Sequence, residues 1–447
     1  MSSDTIFALA TAPGRSGIAI IRISGPKTGK ALDRLGVASR KPRVMARACL
    51  KDPATSETLD DGLVVWFEGP KSFTGEDLAE LHVHGGRAVV EGVLAALNSI
   101  GGLRPAEPGE FTRRAFDAGK LDLTQAEALA DLIDADTRAQ ARQALRQMGG
   151  ALKTRYDDWR DRLIKALAHL EAVIDFPDED LPVETADALW TSVETLENEL
   201  GAHMADNGRG ERLRNGVHVA IIGPPNAGKS SLLNLLAQRD AAIVSETAGT
   251  TRDVIDVHLD LDGYPVLIAD TAGLRDTENV VEDEGVRRAR DRAENADLVI
   301  ALFDGAIYPE RDEATITLID EKTLVVINKS DLLDQAREQE RDVEDDWRVT
   351  HFVSVKDGFG IDLLIATLTQ RVAGLCDARA EAPITRARHR HALEECRDAM
   401  ARARASTLPE LAAEDLRLAA RALGRLTGHV DVEELLDLVF RDFCIGK

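Results

Sequence analysis

Residues 223–230, Gly-Pro-Pro-Asn-Ala-Gly-Lys-Ser, match the pattern G-x-x-x-x-G-K-[ST]. An apolar run, VHVAII (217–222), precedes them and SLLNLL comes after, so the motif joins a strand to a helix. Glycines at these positions let backbone N–H groups turn inward around phosphate oxygens, and the helix N-terminus adds a favourable dipole. The cradle takes in Asn226, Ala227, Gly228, Lys229, Ser230 and Ser231. Lys229 is placed to neutralise the β- and γ-phosphates, and the Ser230 hydroxyl to ligate Mg²⁺.

Residues further along the chain specify the base. In order come VSETAGTT (244–251), DTAG (270–273), NKSD (328–331) and SVK (354–356). The first supplies Ser245, Glu246, Thr247, Ala248, Gly249, Thr250 and Thr251, and the second Asp270, Thr271, Ala272 and Gly273. Thr251 completes the Mg²⁺ shell only with a γ-phosphate present, which makes its loop a switch. Asp270 holds the metal through water, and the Gly273 N–H faces the γ-phosphate. The carboxylate of Asp331 is an acceptor only, so it takes N1–H and the exocyclic amine of guanine. Adenine offers no such donor pair, and an unpaired buried carboxylate is costly. Asn328 is expected on the other side of the base, Lys329 along the nucleotide, and Ser354, Val355 and Lys356 beside it. The set implies a P-loop domain that binds GTP.

Hydrolysis is harder to read. Leu274, with no polar atom, stands where many such domains carry a water-orienting glutamine. The acidic stretch ENVVEDE (278–284) offers Glu278, Glu282, Asp283 and Glu284 instead, or is simply a solvated loop. No arginine finger is evident. Asn226 presents a side-chain carbonyl beside the phosphates, and the loop 244–251 offers hydroxyls and carbonyls opposite. Hard oxygen ligands of this kind suit an alkali cation.

The elements that must hold these residues fall into three territories. Residues 1–118 mix the β-like runs GIAIIRIS, GLVVWFEG and LAELHVHGG with turns and one helical pattern near 86–99, which reads as α+β. From 119 apolar residues recur at helical spacing until NGRG (207–210), and helical periodicity returns near the C-terminus. Between them the chain alternates strands and helices. The expected architecture is therefore multidomain, α/β and α+β. A P-loop (Ras-like) G domain (214–375) is inserted in a helical domain (119–213 and 376–447), after an N-terminal α+β domain (1–118). At 447 residues several cores are expected. Lys and Arg number 55 against 78 Asp and Glu, a net charge of −23, so contact with RNA requires a local basic patch. Cys49, Cys376, Cys396 and Cys444 form no CxxC pair, which favours a reducing compartment. No stretch approaches the roughly 18 apolar residues of a membrane span. A cytoplasmic protein without membrane association is expected.

The stretches APGRSGIAIIRISG (12–25), SFTGEDLAELHVHGG (72–86), PGEFTRRAFDAGKLDLTQAEALADLIDA (108–135), AGTTRD (248–253), DTAGLR (270–275) and the terminal FCIGK (443–447), with the P-loop, resemble the MnmE (TrmE) family of bacterial tRNA-modification GTPases. The resemblance covers all three territories. It implies a homodimer formed through N-terminal domains related in fold to folate-binding one-carbon enzymes. It also implies a tetrahydrofolate derivative bound by Arg22, Glu80, Lys120 and Lys447. Its K⁺ ligands fall on Asn226, Ser245, the Thr247 carbonyl and Thr250, and its catalytic acid on Glu282. G-domain dimerisation drives hydrolysis in the family. The implied partner is the flavoprotein MnmG, and the implied reaction places a carboxymethylaminomethyl or aminomethyl group at C5 of the wobble uridine of certain tRNAs. The tail FCIGK would then bring Cys444 to the one-carbon chemistry. Pro224, where the family often has Arg, and His82 depart from the pattern without touching a motif ligand.

A timer GTPase for RNA or ribosome assembly shares every G motif. It requires a basic, stacking-competent RNA surface. The best candidate is 385–405, with Arg386, Arg388, Arg390, Arg397, Arg402 and Arg404 and no aromatic residue. A modification role for the tail makes a direct prediction. Cys444→Ser spares GTP turnover and abolishes tRNA modification, as measured by nucleoside analysis of wobble uridine; normal modification returns the thiol to incidental status.

Overall fold

In SGIAIIRIS (16–24) and LAELHVHG (78–85) buried side chains alternate with accessible ones, as in an antiparallel strand with one face on a core. The computed structural model describes residues 4–37, 41–175, 183–238, 256–269, 282–333, 350–376, 382–430, 436, 439–440, 443 and 445–446. Its first sheet comprises β1 (Thr5–Leu9), β2 (Ser16–Ser24), β3 (Ala46–Lys51), β4 (Thr58–Phe67), β5 (Leu78–Gly85) and β6 (Leu103–Pro105), in the order β3-β4-β5-β2-β1-β6. All pairings are antiparallel except β1 with β6. On one face Ile21, Ile23, Leu81 and Val83 share a core with residues of the helices Thr28–Arg34 and Arg87–Asn98. On the other, Ile6 and Ala8 pack with Phe111 of the helix Glu110–Asp117. Beyond that helix the same face carries Ala8, Arg22 and Glu80 in one cross-strand row, and Ile20, His82 and Leu63 in the next.

Charge fixes the helix Glu110–Asp117. Arg114, only 7% exposed, donates to the Asp4 carbonyl and to the carboxylates of Asp4, Glu76 and Glu110. Arg104 binds Asp4 and Glu110 from the other side. Burial penalises the Glu110 charge, yet bonds from Arg104, the Glu107 N–H and Arg114 outweigh it and hold the carboxyl below its ordinary range.

By contacts the chain divides into two units, residues 1–130 with 147–193 and 398–447, and residues 131–146 with 194–397. In the first, the helices Ala151–Asp175 and Pro409–Thr427 lie side by side, with Arg417 Nη2 on Glu171 at 2.8 Å. Phe440 and Phe443 pack against Leu123 and Ala126 and so anchor the C-terminal tail.

The second unit holds a doubly wound sheet. Its strands are β7 (Val217–Ile222), β8 (Asp256–Leu261), β9 (Tyr264–Ala269), β10 (Leu298–Asp304), β11 (Thr323–Asn328) and β12 (Thr350–Phe352), in the order β12-β11-β10-β7-β9-β8. Only β8 is antiparallel to its neighbour. The strands VHVAII, LVIALFD and TLVVIN are buried almost throughout because both faces are covered. The helices Lys229–Gln238 and Ile361–Cys376 contribute Leu232, Leu233, Leu364 and Leu368 to one core, and the helix Glu282–Asn295 contributes Ala293 to the other. Chain order reverses at β7, between β9 and β10, the switch point where open α/β sheets bind ligands. No helix among the described residues is long and apolar enough to cross a membrane.

Because the Glu110 carboxyl is held below its unfolded value, its contribution is fully present above that value and fades as pH falls through the folded one. Glu110→Gln should cost about 2 kcal/mol at pH 7. In urea titrations the gap to the parent should close below the ordinary carboxylate range; a pH-independent gap would assign the loss to packing.

Candidate functional site

The loop after β7 is shaped by backbone conformations that side chains resist. Gly223 has φ +149°, and a Cβ there would lie 2.2 Å from the Leu302 carbonyl oxygen of β10. Gly228 has φ +97°, and its Cβ would meet Asn328 Nδ2 at 2.2 Å. Between them Asn226 is itself left-handed, at φ +62°, and exposed, with no side-chain hydrogen bond among the described residues. The Lys229 ammonium donates to the carbonyls of Gly223 and Pro224, both at 2.8 Å, curling over the loop that it would share with phosphate. Ser230 is exposed at the start of the helix Lys229–Gln238, and Ala227 is fully buried. A cradle with an inward lysine and an exposed hydroxyl at a helix N-terminus fits a Mg²⁺–nucleotide.

The residues of NKSD and SVK converge on it. Asn328, 3% exposed at the end of β11, donates through Nδ2 to the Ala227 carbonyl at 2.9 Å and accepts the Val355 N–H at 3.2 Å. It thus links the cradle to the SVK segment, whose sequence position suggests base contact. Lys329, left-handed at φ +58°, reaches Asp304 Oδ2 at 2.6 Å. The Ser354 hydroxyl donates to Asp331 Oδ1 at 2.9 Å and turns the carboxylate. Lys356 lies 3.9 Å from Asp331 Oδ2 and is largely exposed. Motif spacing singles out Gly223 but not the part played by Asp304. Asp304 is legible only through the parallel register that sets it opposite Asn328.

Ser245, Glu246, Thr247, Ala248, Gly249, Thr250, Thr251, Asp270, Thr271, Ala272, Gly273, Cys444 and Lys447 lie outside the described residues, and so does the side chain of Glu282, whose backbone opens the helix Glu282–Asn295.

A second constellation occupies the first sheet. Arg22 on β2 faces Glu80 on β5 and donates through Nε at 3.2 Å and Nη2 at 2.9 Å, both to Oε1. Its guanidinium carbon lies 5.9 Å from the Phe73 ring centroid and 5.8 Å from that of Phe111. Nη1 reaches the Gly446 carbonyl at 3.4 Å, so Gly446 lies beside this pair. Only glycine fits there, since Gly446 has φ +99° and a Cβ would lie 2.2 Å from the Leu9 carbonyl oxygen. Lys120 borders the same loop as Phe73, with Nζ donating to the Pro70 carbonyl at 2.5 Å and Cε near Gly75. Phe73, Phe111 and Gly446 lie in the stretches that carry the family resemblance, but their contacts with Arg22 and Leu9 depend on tertiary approach and cannot be read locally.

The arginine-rich segment 385–405 is engaged within the chain. Arg386 binds Asp131, Arg390 binds Asp206 and Glu211, and Arg402 binds Asp415. Arg388, Arg397 and Arg404 have partners as well. Cys376 and Cys396 are buried, and burial pushes the Cys376 thiol up to about 12, so neither is a nucleophile.

The class is that of a P-loop guanine-nucleotide-binding enzyme carried with a helical domain and an N-terminal α+β domain. A family model described as the MnmE helical domain matches residues 123–444, and one described as the GTP-binding protein TrmE N-terminus matches residues 5–120. The tRNA modification GTPase MnmE of Paramagnetospirillum magneticum is 56% identical over the full length of both chains, and that of Rhodospirillum rubrum 53%. The human mitochondrial protein named 5-taurinomethyluridine-[tRNA] synthase subunit GTPB3 is 49% identical over 100% of this chain and 94% of its own. The chain belongs to the MnmE family of tRNA modification GTPases.

Gly228→Ala must displace the Asn328 carboxamide and occupy a left-handed backbone. Affinity for a fluorescent GDP analogue should fall by about 100-fold or more, with the circular dichroism unchanged. Unaltered affinity would show that the Asn328 tie is dispensable.

Proposed function

We propose that this GTPase is K⁺-stimulated and acts with MnmG to modify C5 of the wobble uridine of certain tRNAs, drawing on a folate one-carbon unit. Asp331, turned by Ser354, accepts from the guanine edge, and Lys229 and Ser230 serve the phosphates and Mg²⁺. In this reading a K⁺ ion bound by Asn226, Ser245, the Thr247 carbonyl and Thr250 supplies positive charge that an arginine finger gives elsewhere. Glu282 orients the attacking water, and closure pairs two G domains of a homodimer. The folate derivative is held by Arg22, Glu80, Lys120 and Lys447, with Cys444 nearby for the modification step. MnmG and tRNA complete the assembly, and the human relative's name, a synthase subunit, supports the idea of a complex.

The observation that carries the reading is the convergence of Arg22, Glu80 and the tail's Gly446 on one sheet face. A timer GTPase has no use for such a site, and the arginines it would need for RNA are already paired within the chain.

GTP turnover compared in KCl and NaCl at equal ionic strength tests the cation. Turnover should rise on the order of tenfold or more in KCl, and Asn226→Ala should remove the difference. Equal rates in the two salts would reject the K⁺ site and favour a timer.

A further inference from the structure

Glu80 is among the residues that would hold the folate derivative, and one of its oxygens is already engaged. Oε1 takes both Arg22 N–H groups, while Oε2 accepts no hydrogen bond among the described residues. Facing Oε2 at 3.6 Å is His82 Nε2, too far for a direct hydrogen bond. That nitrogen is buried and has no partner among the described residues. The rest of the imidazole lies in the cross-strand row between Ile20 and Leu63, and Leu63 is 40% exposed. Gly62 leaves no room for a side chain against the His82 carbonyl, with a Cβ 2.4 Å from that oxygen, so β4 fixes the histidine backbone closely. A buried ring nitrogen without a partner is costly unless something completes it.

We infer that His82 Nε2 and Glu80 Oε2 act as a pair of acceptors that reads the two adjacent N–H donors of the ligand's 2-amino-4-oxo ring edge, which makes His82 a specificity-determining residue. This rests on the folate reading of the Arg22–Glu80 site. With its proton on Nδ1, the imidazole presents Nε2 as an acceptor beside the carboxylate. The ring N–H then meets one acceptor and the exocyclic amine the other, while Ile20 and Leu63 offer apolar surface to the ring plane. A heterocycle lacking the amine would leave one of the two acceptors unpaired, as it is in the free protein.

The test is calorimetric titration of the full chain with 5-formyltetrahydrofolate and with its 2-desamino analogue. His82→Leu should weaken binding of the folate about tenfold or more, and His82→Gln, which retains an acceptor, should stay within about threefold of the parent. The parent should lose affinity for the desamino analogue, and His82→Leu should lose no more. Restoration by Gln separates this role from a folding defect. Equal folate binding by parent and His82→Leu would overturn the pairing and leave the folate site standing. No binding by the parent would remove the folate reading itself.

Discussion

The carboxamide of Asn328 joins two halves of the nucleotide site that the sequence separates by about a hundred residues. One end holds the Ala227 carbonyl inside the phosphate cradle, and the other takes the N–H of Val355. The tie depends on the cradle in turn, because Asn328 packs where a Cβ at position 228 would be and so requires the left-handed glycine there. The orientation of Asp331 depends on the tie too, since Ser354, which turns that carboxylate, directly precedes Val355. β7, β10 and β11 are buried on both faces, and their parallel register delivers Gly223, Asp304 and Asn328 to one edge.

The first sheet solves a different problem. Its second face is only partly covered, by the helix Glu110–Asp117, and that helix is held by the charges around Arg114 as much as by Phe111. The same helix supplies one of the two rings beside Arg22. Anchoring by Phe440 and Phe443 then brings the tail in, and Gly446 closes against Leu9. A terminal segment of five residues would ordinarily fray. Here it is tied on both sides of position 444, by the Phe443 ring and by the bridge between Ile445 and Pro108.

How much of this is legible in the chain depends on how local each signal is. The P-loop, NKSD and the strands before them can be read because their residues are consecutive and their chemistry needs that order. GIAIIRIS, GLVVWFEG and LAELHVHGG appear as β2, β4 and β5, and the helical pattern near 86–99 as the helix Arg87–Asn98. β1, β3 and β6 give no such signal, because three to six residues, as in TIFAL, ARACLK and LRP, are too short to establish a period. Asp304, Phe73 and His82 are beyond reach for another reason. Each matters through a partner far away in sequence or in a neighbouring strand, and nothing in its local run names that partner.

Asp331 and Glu80 show one physical device used twice. Each is a carboxylate with one oxygen pinned by a neighbour, Ser354 in the first case and Arg22 in the second, which sets the plane of the group before any ligand arrives. Preorientation lowers the ordering cost of binding and leaves the other oxygen aimed. The neighbours differ in consequence. A hydroxyl donates one bond and leaves Asp331 with spare capacity on both oxygens, enough for the two guanine donors of the proposed reading. A guanidinium donates two bonds to one oxygen and exhausts it. Glu80 is left with Oε2 alone for a ligand, and a second acceptor stands in the adjacent cross-strand row, at His82.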